Sequence, residues 1–162
     1  MSSELLEDWS ALNAKLSFSR LGDSYDICEN IRPLTDIDSS AVSAVCGTSL
    51  QDENPYAAEL ARHFSNLNVS DCDKMLGLFN ESDLVGFVEY DYIDTLDIAV
   101  LENVFVSKEH RGEGSGKALV KAALSNHPTK KWAYDVWKHN TGSIALAESL
   151  DFEFEGAMIL IK

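Results

Sequence analysis

Long apolar runs are missing from this chain. None of about 18 residues occurs, so no helix is expected to cross a membrane. The first eight residues are acidic and have no apolar core, so they are not expected to act as a secretory leader. Cysteine is scarce: Cys28, Cys46 and Cys72 are odd in number, far apart and without a Cys-x-x-Cys pair. That spacing argues against a disulfide frame and against a zinc site. Reduced thiols, a cytoplasmic setting and no bound metal are the expectations. Basic charge is short as well, with 13 Lys and Arg against 27 Asp and Glu and a net charge of −14. That acidity opposes nucleic-acid binding, which needs cations to displace counterions, and none is expected.

The charge shortage is uneven. Residues 1–106 hold 20 acidic and 5 basic residues; residues 107–162 hold 7 and 8. The near-neutral part suits an anionic ligand and the acidic part a cationic one. Solubility alone would also account for the acidic surface.

What is present begins with 45% hydrophobic residues in a chain of 162, enough for one domain with a core. Leu5, Leu6, Trp9, Leu12 and Leu16 predict a helix over residues 3–16, followed by a loop over 17–24. Residues 25–34 read as a strand that ends at Pro33. Thr35 is an N-cap type, and Asp36 and Asp38 suit a first turn, so a helix is expected from there to Gly47. A second helix starts at Pro55, with Leu60, His63, Phe64 and Leu67 on its stripe, where His63 reads as packed rather than ligating. Strands follow at 75–79 and 84–92 around the turn residues 80–83, then a strand ending at Val106. A helix at 116–124, a strand at 132–137, a helix from Asn140 to Leu150 and a strand at 152–161 complete the order. Residues 1–24 are expected as a helical extension and residues 25–162 as the domain.

The stretch from Val104 to Val120 is the most informative. Val104, Phe105 and Val106 end a strand, and Arg111-Gly112-Glu113-Gly114-Ser115-Gly116-Lys117 leads into a helix. Three glycines in five residues open backbone conformations closed to other residues. Unpaired N–H groups at a helix start, together with the helix dipole, make such a turn a phosphate site. Nucleotide P-loops need four residues between Gly and Gly-Lys-Ser/Thr. Here Gly112 and Gly116 are separated by three, and Ala118 stands where a hydroxyl is required. Dinucleotide turns need Gly-x-Gly-x-x-Gly, and Gly112, Gly114 and Gly116 give the wrong spacing.

Arg111, Gly114 and Gly116 satisfy Arg/Gln-x-x-Gly-x-Gly/Ala, and the chain resembles the GNAT superfamily of acyl-CoA-dependent N-acetyltransferases. Asn140, Ser143, Leu146 and Phe152 fall into a second frame of that family, Asn-x-x-Ala-x-x-Leu-Tyr-x-x-x-Gly-Phe. Residues 31–36 resemble its first strand and helix start. The resemblance implies a mixed α+β fold, a mostly antiparallel twisted sheet flanked by helices in the order β-αα-βββ-α-β-α-β. It implies acetyl-CoA as co-substrate, with the pantetheine and thioester along Val104, Phe105 and Val106. The pyrophosphate lies on the N–H groups from Arg111 to Lys117, and Asn140 contacts the pantetheine arm or caps its helix. The chain departs from the frame at Ala147, where many members have a tyrosine that protonates the leaving thiolate, and at Asp151, where they have glycine.

Acetyl transfer to an amine needs a neutral nitrogen, an oxyanion stabiliser and a proton for the leaving thiolate. Glu102, on the strand that leads to Val104, is the first candidate base; Glu89, on the neighbouring strand, is the alternative. Asp91 and Asp94 are candidates for holding a substrate cation. Tyr134 is a candidate replacement for the missing tyrosine, with a core role as its alternative. Three readings follow: an N-acetyltransferase for a cationic small amine, one for a protein N-terminus or lysine, and a non-catalytic acyl-CoA-binding module. The expected partners are a small amine or a peptide, without nucleic acid or membrane, and the expected state is a monomer or homodimer.

Overall fold

The structure is a computed structural model that describes residues 13–49, 57–72 and 74–160. Its first described element, β1 (Asn13–Leu21), is a strand. This corrects the expected helix and loop over residues 13–21; residues 3–12 of that helix lie outside the described residues. The chain divides into two compact units, Leu21–Trp132 and Met1–Arg20 with Ala133–Lys162.

In the larger unit, β2 (Ile31–Pro33) is shorter than the strand expected over 25–34. The polar residues Asp26 and Glu29 before it are exposed, and Ile31 N–H closes a turn onto the Cys28 carbonyl at 3.1 Å. A 3-10 turn at Asp36–Asp38 precedes helix α1 (Ser39–Ser49). Asp38 serves that turn by accepting Thr35 N–H at 2.9 Å and pairing with both Arg32 guanidinium nitrogens at 2.9 Å. Helix α2 (Ala57–Ser65) follows, then a 3-10 turn at Val69–Asp71. Strands β3 (Lys74–Asn80), β4 (Asp83–Ile93) and β5 (Ile98–Val106) continue the sheet, and helix α3 (Ser115–Asn126) comes after the glycine turn. The strands run β2-β3-β4-β5, every pair antiparallel.

Strand alternation divides the packing between the two sheet faces. Phe87 joins Phe64 of α2 and Val42 and Val45 of α1 in one core. The rings of Phe64, Phe87 and Phe105 stand 5.2–5.5 Å apart, a spacing that adds to the gain from burial. One residue earlier, Gly86 faces Leu119 of α3, so α3 covers the opposite face. Leu119, Val120, Ala123 and Leu124 are buried there, and the Asn126 amide donates to the Tyr90 hydroxyl at 2.7 Å.

In the smaller unit, β6 (Lys131–Trp137, within this unit from Ala133), helix α4 (Thr141–Ser149) and β7 (Glu153–Leu160) join β1. The strand order is β6-β1-β7, and β1 runs antiparallel to β7. Ala14 and Phe18 of β1 are buried, while Ser17 and Ser19 donate to Asp135 and Glu155 at 2.6 Å. Asp151 takes the left-handed conformation expected after a helix, φ 60°. Phe152 N–H bonds back to Ala147 and Asp151 N–H to Glu148, a closing pattern that satisfies two helix carbonyls. From residue 31 onward the elements follow the expected order β-αα-βββ-α-β-α-β, with β1 added before them.

Candidate functional site

Two features of the larger unit meet at the end of β5: a bulged pair of strands and the turn that starts α3. Glu89 stands opposite Asn103 and Tyr90 opposite Leu101. Glu102 is therefore the extra residue of a β-bulge, a device that re-aims a side chain and bends its strand. It is exposed. Glu89 is buried, 5% exposed, and accepts from the Asn103 amide nitrogen at 2.8 Å. Both candidate bases thus lie on the same stretch of the β4–β5 ladder. Asp91 is half-buried and its carboxylate accepts Tyr92 N–H at 2.7 Å; Asp94 is in the exposed turn after β4. Val104, Phe105 and Val106 finish β5, paired with Val88, Phe87 and Gly86.

The turn is locked from behind and open in front. Ser107 N–H bonds to Val85, His110 N–H to Ser107, and Arg111 Nε to the Val106 carbonyl at 3.2 Å. Gly112 and Gly114 both take left-handed backbones, φ 78° and 83°. A Cβ built on either would meet nothing within 4 Å, so glycine is required by the backbone and not by crowding. Gly114 is the N-cap, and the first helical bond runs from Ala118 N–H to Gly114. The N–H groups of Ser115, Gly116 and Lys117 accordingly have no acceptor within the helix. Glu113 is exposed beside them, 3.4 Å from His110 Nδ1. Ser107, just before the turn, is buried, and its hydroxyl makes no hydrogen bond among the described residues. An N–H array with cations at residues 111 and 117 fits a phosphorylated thioester such as acetyl-CoA.

The smaller unit holds the remaining candidates. Asn140 is the N-cap of α4 and accepts Ser143 N–H at 3.1 Å, the capping role that stood as its alternative. Ala147 is wholly buried. Tyr134 is 4% exposed and packs edge-on against Phe152 at 6.0 Å. Burial pushes its phenol up, and a hydrogen bond with Ser143 pulls it partly back. That is the environment of a core tyrosine.

Among the cysteines, Cys46 is buried and its thiol is pushed up to about 11 by that burial; Cys28 is exposed and Cys72 half-buried. His63 is exposed on α2, against the expectation that it packs inward, and stands edge-on to Phe64 at 4.8 Å. Asn103 did not figure in the reading of the sequence. Its only sequence signal is its place beside Glu102, since its partner is set by a register that the bulge shifts.

The chain has relatives among known proteins. A "Probable spermine N(1)-acetyltransferase" of Bacillus subtilis subsp. natto is 30% identical over 95 residues, covering 52% of this chain and 62% of that protein. The chain thus spans under two thirds of that curated relative's length. In fold it is similar to an acetyltransferase of the GNAT family from Novosphingobium aromaticivorans, with a TM-score of 0.68 at 20% identity over 91% of this chain and 62% of that one. It is also similar to a PaiA N-acetyltransferase from Thermoplasma acidophilum in complex with coenzyme A, with a TM-score of 0.59 at 19% identity over 80% of this chain and 98% of that one. The model of the acetyltransferase (GNAT) family matches residues 41–152, and the chain belongs to that family.

Proposed function

We propose that the protein moves an acetyl group from acetyl-CoA to a primary amine by direct attack, and that its preferred acceptor is a cationic small molecule. The observation that carries this reading is the turn after β5, with left-handed Gly112 and Gly114 opening the start of α3. Acetyl-CoA supplies the activated acetyl group. The N–H groups of Ser115, Gly116 and Lys117 hold its phosphates, with Arg111 and Lys117 adding charge. Glu102, re-aimed by the bulge, takes a proton from the bound ammonium so that the neutral amine attacks the thioester carbonyl, the C–S bond breaks and coenzyme A leaves as its thiolate; Glu89 is the alternative base. The acidic half of the chain attracts the cation, and the curated relatives named for spermine acetylation favour the same class of acceptor. The cysteines, none in a disulfide among the described residues, suit a cytoplasmic setting.

Ala147 favours a second reading, an acyl-CoA-binding module without turnover, because methyl cannot protonate a thiolate. A thiol-release assay with acetyl-CoA over polyamines, amino acids and peptides separates the two. Thiol release fastest with a polyamine is the expected result. Binding of acetyl-CoA without thiol release from any amine would select the module, and a preferred anionic acceptor would overturn the charge argument.

A further inference from the structure

We propose that His63, Cys72 and Glu89 form a three-ligand site for a thiophilic divalent cation, zinc by its donor set, with Asn103 orienting the carboxylate. The inference does not rest on acetyl transfer. The three residues come from three separate elements of the larger unit: the last turn of α2, the end of the 3-10 turn Val69–Asp71, and β4. One ligand atom of each lies within 4.8 Å of the other two. In a tetrahedral zinc site, donors at about 2.0–2.3 Å from the metal stand roughly 3.4–3.7 Å apart. Side-chain rotations that shorten the separations by about 1 Å would therefore close the site.

Each ligand is held from behind. Phe64, next to His63, is fully buried in the aromatic core and fixes that turn of α2. Cys72 N–H is tied to the Val69 carbonyl at 3.0 Å. Glu89 is held by the Asn103 amide at 2.8 Å, the kind of outer partner that fixes a metal-binding carboxylate. His63 is exposed and Glu89 is buried, so the cluster runs from solvent to the sheet and has an entry path.

The donors choose the ion. One imidazole, one thiolate and one carboxylate match zinc with a fourth position left for water, and disfavour magnesium and calcium, which take oxygen. Thiolate and carboxylate together balance the ion's two charges. The nearest basic residue along β3, Lys74, is opposite Tyr90 and turns toward that ring, 6.0 Å from its centre. It thus lies on the other face from Glu89. Sequence spacing hides this site because the ligands are separated by 9 and 17 residues with no short metal motif.

Titrating the dialysed full chain with zinc against a chromophoric chelator, and with cobalt(II) as a spectroscopic probe, tests the proposal. One zinc per chain is expected, with a thiolate-to-cobalt charge-transfer band. His63→Ala and Cys72→Ser should each weaken binding at least tenfold, Cys72→Ser should remove the band, and Cys28→Ser should leave both unchanged. Asn103→Ala should cost about 10–100-fold. Absence of stoichiometric zinc binding, or binding that survives both His63→Ala and Cys72→Ser, would overturn the site. The second outcome would assign the metal to the acidic surface. His63 is exposed, so its variant leaves the core intact and keeps the test valid if Cys72→Ser fails to fold.

Discussion

Asn103 stands opposite Glu89 across β4 and β5 and donates its amide to the Glu89 carboxylate at 2.8 Å. That pairing separates the two candidate bases. Glu89 is buried and held in place; Glu102, one residue before Asn103, is exposed at the bulge. A base that meets an incoming ammonium needs access, and this favours Glu102. Glu102→Gln should lower kcat by about 10²–10⁴-fold with acetyl-CoA affinity unchanged. The loss should shrink at high pH, where free amine becomes abundant. Steady-state kinetics across pH measures this, and an unchanged kcat at neutral pH would pass the role to Glu89.

The glycine turn gives a second expectation. Gly114 has φ 83° and open space where a Cβ would stand. A Cβ at this position therefore meets no neighbour, and the cost of Gly114→Val is backbone strain, at least about 1–2 kcal/mol for a β-branched residue in the left-handed region, with the N–H groups redirected. Acetyl-CoA at about 100 Kd should stabilise the parent protein by about 2.7 kcal/mol, and the variant should lose that melting shift while keeping its circular dichroism. A normal shift in Gly114→Val would mean that the phosphates bind elsewhere.

Much of this site is legible in the sequence because it is local. The turn from Arg111 to Lys117 is contiguous, and its glycines announce the backbone they adopt. The hairpin β3–β4 is equally readable from its polar turn and its apolar strands. What the sequence hides is set by distant partners. β1 shows an alternation at Ala14, Leu16 and Phe18, but Leu12 and Leu16 also fit a helical stripe, and only pairing with β7 decides between the two periods. The strand expected over 25–34 shrinks to three residues: its first half offers Tyr25 and Ile27 on one side, but Ile27 is left 46% exposed. The pairing of Glu89 with Asn103, and the nearness of His63 to Cys72, depend on sheet register and helix placement that no spacing encodes.

Asp38 ties α1 to β2, and its chemistry makes stability depend on acid. The Arg32 guanidinium, helped by Thr35, holds the Asp38 carboxyl down to about 2. The folded value lies below the unfolded one, so this contribution is complete above about pH 4. It is lost as pH falls from there through 2. Asp38→Ala should cost about 1–2 kcal/mol at neutral pH, read from urea midpoints, and the gap between variant and parent should close toward pH 2. A pH-independent difference would show that packing, not charge, is what Asp38 supplies.

Ser107 offers a test that separates stability from ligand binding. Its side chain is buried between β5 and the turn, and its hydroxyl has no partner among the described residues. An unpaired buried hydroxyl costs about 1–3 kcal/mol of desolvation, and a ligand that reaches the group on binding would relieve that cost. Ser107→Ala removes the hydroxyl and leaves the Cβ packing intact. The free variant should be as stable as the parent or more so, with a higher melting temperature. Its melting shift with saturating acetyl-CoA should be smaller, because the bound state loses one hydrogen bond, worth about 0.5–1.5 kcal/mol. The paired readout matters, since a structural role would lower the free-state melting temperature and leave the acetyl-CoA shift alone. That opposite pattern would assign the Ser107 hydroxyl to the fold and remove it from the acetyl-CoA site.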